Sequence, residues 1–317
     1  MEEQIPLVEG CTAEKFLGQV EPLRRPAVLR GLDLGPCVHK WRDPSYVATA
    51  AGPDLPVRIH AAKDGRMDFR AKNFSYRTVT MEELLRVASS GGNNNGELYY
   101  LRALGPDGGG GARAGGGGQP SLLSRDFPSL SRDFRLPDGL VDPARLFSSV
   151  LRVSSGGVTV WTHYDVTDNV YAQVVGSKEA VLWAPSEALN LYLDGDKSRV
   201  VGVDDYDREK FPLFARAKRM RAVLQPGDVL FIPAFWFHNM RALDFGVAVN
   251  VFWKNLPQEL YDKKDPYGNK DLVPGAKAIT MLDNVMRQLQ SLPEDVKDFY
   301  GRRLIARIQT KCLKEPN

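Results

Sequence analysis

Short apolar runs separated by turn residues fill the middle of the chain, from 150 to 253. The runs are rich in Val, Phe, Ile and Trp, and their lengths are typical of β-strands. Five of them predict strands, at 158–166, 170–175, 180–183, 223–232 and 246–253. Several short strands at such close spacing predict an antiparallel double sheet.

The segment before this core mixes helix and strand signals. Thr12 and Thr80 each precede an amphipathic stretch and are predicted to be helix N-caps. The predicted helices cover 12–20 and 80–88, and the predicted strands cover 26–32, 57–61 and 97–103. Residues 1–104 are therefore expected to form an α/β segment that completes the core.

A glycine-rich segment follows at 105–118, where nine of the residues are glycine. Such low-complexity sequence cannot repay the entropy of ordering, so we predict a mobile surface loop. This loop would separate the N-terminal segment from the core domain at 119–273.

Helical periodicity replaces the strand pattern after 274. Apolar residues recur at helical spacing over 276–291 and again over 294–311, with Pro293 between the two stretches. We predict a helical hairpin with an apolar stripe in the C-terminal region 274–317. The stripe could pack on the chain's own sheet or on a second copy, and the pattern leaves both open.

Composition favours an intracellular protein, in cytosol or nucleus. The chain has 43% hydrophobic residues, a net charge of +3 and three cysteines, Cys11, Cys37 and Cys312. Three scattered cysteines argue against a disulfide framework. The first ten residues do not resemble a signal peptide, and no apolar stretch has the length of a membrane span. Basic groups at 216–221, 263–270 and 302–314 could contact RNA phosphates or form an ordinary mixed-charge surface.

Two of the four histidines stand in informative settings. On a strand, residues i and i+2 share a face, so His163 and Asp165 could bind one ion. His238 follows an apolar strand that Pro233 interrupts, and we expect it in a turn that points back into the same cavity. Two histidines and one carboxylate form the facial triad of non-haem iron oxygenases, which leaves coordination positions open.

Lys178 lies fifteen residues after His163. Gly176 and Ser177 resemble a two-residue hairpin turn, which would pair Val175 with Lys178. Asn169, Tyr171 and Gln173 would then share the face of Lys178. An inward lysine requires an anion. A lysine beside a turn is also compatible with an exposed head group, and Asn169 with an ordinary strand end.

Taken together, the stretch from Thr162 to Asp165, Lys178, and the stretch from Pro226 to His238 resemble the Jumonji C, cupin-type oxygenases. The resemblance implies a mainly β protein with flanking helices, built on a double-stranded β-helix (jelly roll). Asn250 matches a polar position of the family. Many relatives carry a hydroxyl where this chain has Val160, so Thr159, inward by parity, could substitute. The implied ligands are His163, Asp165 and His238 for Fe(II), and Lys178, Asn169 and Tyr100 for 2-oxoglutarate.

Further stretches, among them 72–77, 161–169 and 252–257, resemble the tRNA-hydroxylating members of this family over nearly the whole chain. The resemblance implies hydroxylation of the wybutosine-type base of phenylalanine tRNA, tRNA(Phe), to hydroxywybutosine. It also implies a homodimer formed through the C-terminal helices. A protein hydroxylase or demethylase, a non-catalytic cupin interaction protein and a zinc-dependent hydrolase are the alternatives.

Overall fold

A computed structural model describes residues 2–105 and 118–313, so the predicted mobile loop at 105–118 lies almost entirely outside the described residues. The chain divides into two compact units. The first contains the residues up to 258 together with 263–270, and the second contains 259–262 and the chain from 271 onward. The domain boundaries expected from the sequence stay a prediction.

Sixteen strands of the described residues form two sheets. In chain order they are β1 (Glu2–Gln4), β2 (Leu7–Val8), β3 (Ala27–Leu29), β4 (Pro56–Ala62), β5 (Ser75–Thr80), β6 (Leu98–Arg102), β7 (Leu146–Ser154), β8 (Thr159–His163), β9 (Asp168–Val175), β10 (Lys178–Trp183), β11 (Leu193–Asp194), β12 (Lys197–Ser198), β13 (Arg219–Leu224), β14 (Val229–Ile232), β15 (Phe237–Ala242) and β16 (Gly246–Trp253). One sheet has the order β1-β13-β10-β15-β8-β12-β11, and the other β2-β3-β14-β9-β16-β7-β6-β4-β5.

The space between the sheets is filled from both sides. Tyr171 and Ile232 of the nine-stranded sheet belong to the same buried cluster as Leu182 and Leu224 of the seven-stranded sheet. All eight residues of β9 and of β16 are buried, because these strands are covered on both faces. The predicted double-sheet, cupin-type fold is confirmed.

The predicted hairpin at Gly176 and Ser177 is wrong. Val175 of β9 pairs with Val247, whereas Lys178 of β10 pairs with Leu224 and Ala242 in the other sheet. The turn carries the chain from one sheet to the other, as consecutive strands of a double-stranded β-helix must do. Gly176 has a φ of +72°, and a Cβ there would lie 2.0 Å from the carbonyl oxygen of Phe245, so only glycine fits.

The predicted strand at 223–232 is likewise two strands in different sheets, β13 and β14. The Asp228 carboxylate closes the turn between them by accepting from the Gln225 backbone N–H at 2.9 Å. It also binds the Arg30 guanidinium through two hydrogen bonds, of 2.8 and 3.0 Å. A continuous apolar run therefore conceals a crossing between sheets.

The described residues also form eight α-helices. In chain order they are α1 (Ala13–Lys15), α2 (Cys37–Lys40), α3 (Pro44–Ala51), α4 (Met81–Ser89), α5 (Leu123–Asp126), α6 (Pro128–Ser131), α7 (Val273–Leu289) and α8 (Glu294–Cys312). The predicted caps are confirmed. Thr12 accepts from the Lys15 backbone N–H and Thr80 from the Glu83 backbone N–H, both at 3.1 Å. Helix α1 continues as a π-helical turn over Phe16–Val20.

The C-terminal unit consists chiefly of α7 and α8, which confirms the predicted helical pair. Neither helix contains a buried residue. Within α7 and α8, nine large apolar side chains are at least 37% exposed: Ile279, Met281, Leu282, Val285, Met286, Phe299, Tyr300, Ile305 and Ile308. No helix within the described ranges has both the length and the apolar character needed to cross a membrane.

A candidate metal centre beside a cationic pocket

His163, Asp165 and His238 converge at one end of the space between the sheets. His163 ends β8, and His238 lies directly opposite it on β15. One potential ligand atom from each of the three residues lies within 4.8 Å of the others. His238 Nε2 is 3.6 Å from an Asp165 carboxylate oxygen, and the two imidazole centroids are 4.3 Å apart.

The route by which these residues meet differs from the prediction. Asp165 does not share a strand with His163, since β8 ends at His163 and Asp165 lies in the following loop. Its carbonyl accepts from the Phe235 backbone N–H at 2.8 Å, which fixes the loop against the segment before β15. His238 lies within a strand and not in a turn.

Both imidazoles are oriented by backbone carbonyls. His163 Nδ1 lies 2.9 Å from the Trp161 carbonyl oxygen, and His238 Nδ1 lies 3.1 Å from that of Trp236. A carbonyl can only accept, so each Nδ1 carries the proton and each Nε2 presents a lone pair. Burial lowers the pKa of both histidines, that of His238 to about 4, so both rings are neutral near pH 7. Two neutral imidazoles and a carboxylate suit a divalent metal of the iron type.

A pocket opens next to the triad. Its lining residues are Tyr100, Arg152, Val158, Val160, His163, Asp165, Tyr171, Lys178, Ile232, His238, Met240 and Asn250. Lys178 is only 5% exposed, and its Nζ lies 3.5 Å from Ser154 Oγ and 5.5 Å from the Tyr171 ring centroid. Burial, with a smaller contribution from Arg152, lowers the pKa of Lys178 to about 7. The ammonium is therefore held in an environment that favours an anionic partner.

Arg152 is the pocket residue that the sequence reasoning missed. Its guanidinium donates to the Tyr100 hydroxyl and, at 2.5 Å, to Asn250 Oδ1. On β7, the side chains of Leu151 and Val153 belong to the hydrophobic core on the face of the nine-stranded sheet that points away from the pocket. Arg152 and Ser154 therefore lie on the opposite face of this strand. The alternation of polar and apolar residues in this strand was the available signal. Such alternation normally indicates a solvent face, whereas here the polar side faces the pocket.

The structure separates the predicted 2-oxoglutarate contacts into two groups. Lys178, Tyr100 and Asn250 line the pocket, whereas Asn169 lies behind Asn250. The Asn250 amide donates to Asn169 Oδ1 at 3.0 Å, so Asn169 fixes the orientation of Asn250. This hydrogen-bonded row continues through Arg152 to Tyr100.

Thr159 is not among the lining residues. His238 pairs with His163 and Met240 pairs with Val160, so β8 has one residue more than β15 over this interval. Because side chains alternate between the two faces of a strand, a β-bulge of this kind moves the side chains of the residues before it to the opposite face. Consequently Val158 and Val160 line the pocket, and the parity argument for Thr159 was wrong.

The pocket contains two cations, Lys178 and Arg152. Within residues 2–105 and 118–313, neither has a carboxylate at salt-bridge distance, although Asp165 of the triad lines the same cavity. The side chains to which they donate hydrogen bonds are neutral: Ser154, Tyr100 and Asn250. Because unpaired buried charge is costly, this pair of cations indicates a site for an anion beside the metal centre.

Comparisons with known proteins agree on one family over nearly the whole chain. Residues 13–259 match the model of a cupin-like domain. The chain is 46% identical over 314 residues to tRNA wybutosine-synthesizing protein 5 of Danio rerio, covering 99% of this chain and 94% of that relative. It is 43% identical over 311 residues to the protein of the same name from Homo sapiens, with coverage of 98% and 97%.

A longer relative also contains this region. The chain is 39% identical over 324 residues to tRNA wybutosine-synthesizing protein 4 of Neurospora crassa, covering 98% of this chain and 25% of that relative. The matches confirm the resemblance predicted from the sequence, and with the His-Asp-His triad they support an oxygenase-type metal site. The chain belongs to the tRNA wybutosine-synthesizing protein 5 family, built on a cupin-like domain.

Proposed function

We propose that the protein is an Fe(II)- and 2-oxoglutarate-dependent hydroxylase that acts on the wybutosine-type base of tRNA(Phe). One observation carries this proposal. A single pocket is lined at one place by His163, Asp165 and His238 and at another by the cations Lys178 and Arg152. A zinc hydrolase could use the same three ligands, but its chemistry would leave the two cations without a role.

The residues present fit both groups. His163, Asp165 and His238 would hold the iron, since their free donor atoms face one another. 2-Oxoglutarate is a dianion whose keto-acid end chelates metal, and its distal carboxylate would pair with Lys178. Tyr100 and Asn250 would contact it as hydrogen-bonding neighbours, with Asn169 behind Asn250. Arg152 adds a second positive charge and holds Tyr100 and Asn250 in place.

Bound together, ferrous iron and 2-oxoglutarate would supply oxygen-insertion chemistry, in which one atom of O2 enters a substrate C–H bond and the other enters the succinate formed, with CO2, from the keto acid. The chain's own residues would orient the cosubstrate, balance its charge and exclude water from the site. Val158, Val160, Ile232 and Met240 form the apolar part of the lining, which limits the access of water.

The substrate assignment comes from the relatives. The vertebrate relatives are named as proteins of tRNA wybutosine synthesis, and the match covers 94% and 97% of their length. We propose that the unhydroxylated wybutosine-type base enters the pocket and leaves as hydroxywybutosine. Modified bases in anticodon loops are unpaired and can be extruded into a concave site. The free cysteines, Cys11, Cys37 and Cys312, agree with an intracellular, reducing compartment.

The decisive experiment combines the purified protein with Fe(II), 2-oxoglutarate and tRNA(Phe) that was isolated from cells lacking this protein. Mass spectrometry of the digested nucleosides should show a gain of one oxygen atom in the wybutosine-type base, with an equal amount of succinate. His163→Ala should bind less Mn²⁺, measured by electron paramagnetic resonance, and give neither product. Unchanged tRNA together with a newly hydroxylated protein would replace this proposal with a protein hydroxylase, and absence of any turnover would favour a non-catalytic role.

We also propose a homodimer formed through α7 and α8. These helices contain nine large apolar side chains that remain 37–66% exposed in a single copy. Apolar surface of this extent is uncommon in a stable monomer, and a second copy offers the same surface in return.

A further inference from the structure

A row of aromatic rings leads from the pocket to the protein surface. The His60 ring lies 5.6 Å from that of Tyr100, which lines the pocket, and 4.7 Å from that of Tyr76. The Phe74 ring stacks on Trp161 at 5.6 Å with an interplanar angle of 25°. Trp161 in turn provides the carbonyl that orients the metal-site residue His163.

The outer end of this row is exposed. Tyr76 lies on β5, the edge strand of the nine-stranded sheet, and 55% of its surface is accessible. Phe69 also contacts Trp161, with ring centroids 6.0 Å apart. Since the ring of Tyr76 adds little to the core, its packing alone does not explain why so large an apolar group stands at the surface.

Positive charge surrounds these rings. Residues 57–80 contain six Lys and Arg but only two Asp, a surplus of four in a chain whose net charge is +3. The Arg58 guanidinium lies 4.5 Å from the Tyr76 ring centroid, and the Lys197 ammonium lies 5.6 Å from that of Phe69. Arg66, Arg70, Arg77 and Lys197 have carboxylate partners. Among the described residues, Arg58, Lys63 and Lys72 have none within 4.0 Å.

We propose that this aromatic–basic rim is a stacking platform for unpaired bases of the RNA substrate, those that flank the base entering the pocket. The rim is defined as Phe69, Phe74, Tyr76, Trp161, Arg58 and Lys197. This inference rests on the proposed function. It identifies the surface that would bind the unpaired nucleotides of the tRNA loop on either side of the base in the pocket. Aromatic faces accept any base by stacking, while the cations attract the phosphates.

An unpaired RNA strand fits this surface better than a peptide does. Arg58, Lys63 and Lys72, which have no carboxylate partner among the described residues, complement a polyanion. Rings next to guanidinium groups are the usual arrangement in sites for single-stranded nucleic acid. Duplex RNA would offer phosphates but no accessible base faces. The platform therefore predicts discrimination between a loop and a duplex, which charge alone does not produce.

The first test compares Tyr76→Ala with Tyr76→Phe in the full-length protein. Fluorescence anisotropy would measure binding of tRNA(Phe) from cells lacking the enzyme, and of a double-stranded RNA without unpaired bases. Removing one stacking ring should weaken tRNA binding by about five- to 150-fold. Tyr76→Phe retains the ring and should bind like the wild type. Affinity for the duplex should not change in either variant.

A second pair of variants separates stacking from charge. Arg58→Ala should weaken tRNA binding and reduce the slope of log affinity against log salt by about one, whereas Tyr76→Ala should leave that slope unchanged. Arg25→Ala removes an exposed arginine outside the rim and should have neither effect. Arg58→Ala also keeps the proposal testable if Tyr76→Ala fails to fold.

The outcomes distinguish this inference from the proposed function. If Tyr76→Ala and Arg58→Ala both bind tRNA within twofold of the wild type while the wild type hydroxylates tRNA, the rim is not the platform and the function stands. If the wild type neither binds nor hydroxylates tRNA, both proposals fail. Equal loss of affinity for tRNA and duplex in Tyr76→Ala would also overturn the platform.

Discussion

At the scale of single residues, the charge of Lys178 should control cosubstrate binding through pH. Burial lowers its pKa to about 7 in the ligand-free pocket, whereas an exposed lysine would remain charged well above that pH. A dianion binds the protonated form, so binding above pH 7 requires uptake of one proton. We predict that the dissociation constant of 2-oxoglutarate rises about tenfold per pH unit above 7. Calorimetric titration of the Mn²⁺-loaded protein between pH 6 and 8.5 measures it.

Two variants check that Lys178 is responsible. Lys178→Met should bind 2-oxoglutarate weakly at every pH in this window. Arg152→Met removes the nearby positive charge that helps to lower the pKa of Lys178, so the onset of the pH dependence should move to higher pH. An affinity that is flat from pH 6 to 8.5 in the wild type would show that Lys178 does not titrate there or does not contact the ligand.

At the scale of secondary-structure elements, the bulge in β8 determines which side chains enter the pocket. The extra residue opposite Asn239 places Val160, and not Thr159, on the inner face. An aspartate at 160 would then share the cavity with Lys178 and Arg152 and occupy the position of the anion. We predict that Val160→Asp lowers 2-oxoglutarate affinity at least about tenfold, as expected when two buried cations acquire an internal partner.

Thr159→Asp is the matched control, because it places the same carboxylate one residue away on the other face. It should leave the affinity for 2-oxoglutarate within about twofold of the wild type. Melting temperatures of both variants identify any general loss of structure. If Thr159→Asp abolishes binding and Val160→Asp does not, the strand parity described here is incorrect.

The same bulge shows where sequence reasoning succeeds and where it stops. Most strand and helix positions followed from apolar periodicity, and the two caps followed from Thr12 and Thr80, because these signals are local; the run at 223–232, which is two strands, is the exception. The hairpin at Gly176 and the parity of Thr159 failed because both depend on pairing between strands far apart in the chain. A turn of two residues looks the same whether the next strand returns to its own sheet or crosses to the other.

Arg152 illustrates the same limit within the site. Its neighbours in the sequence make it look like an ordinary outward residue of an alternating strand. Only the assembled sheets reveal that it contacts Tyr100, 52 residues earlier, and Asn250, 98 residues later. The triad could be predicted because His163, Asp165 and His238 form a characteristic set, and Lys178 because it stands at a recognisable distance from His163.

At the scale of the whole molecule, the protein combines two units with different surfaces. The first contains both sheets, the metal centre and the aromatic–basic rim. The second consists chiefly of two helices with large exposed apolar side chains. The proposed self-association would cover large exposed side chains such as Met281, Phe299 and Ile305.

We predict that Phe299→Asp combined with Ile305→Asp converts a dimer to a monomer. Two carboxylates in an apolar contact are left without partners, which is unfavourable by several kcal/mol in total. Light scattering after size exclusion should give twice the chain mass of 35.3 kDa for the wild type and the chain mass for the variant. Leu189→Asp, at an 82% exposed position of the first unit, should leave the dimer intact. A wild-type protein that is monomeric at micromolar concentration would rule out this use of α7 and α8.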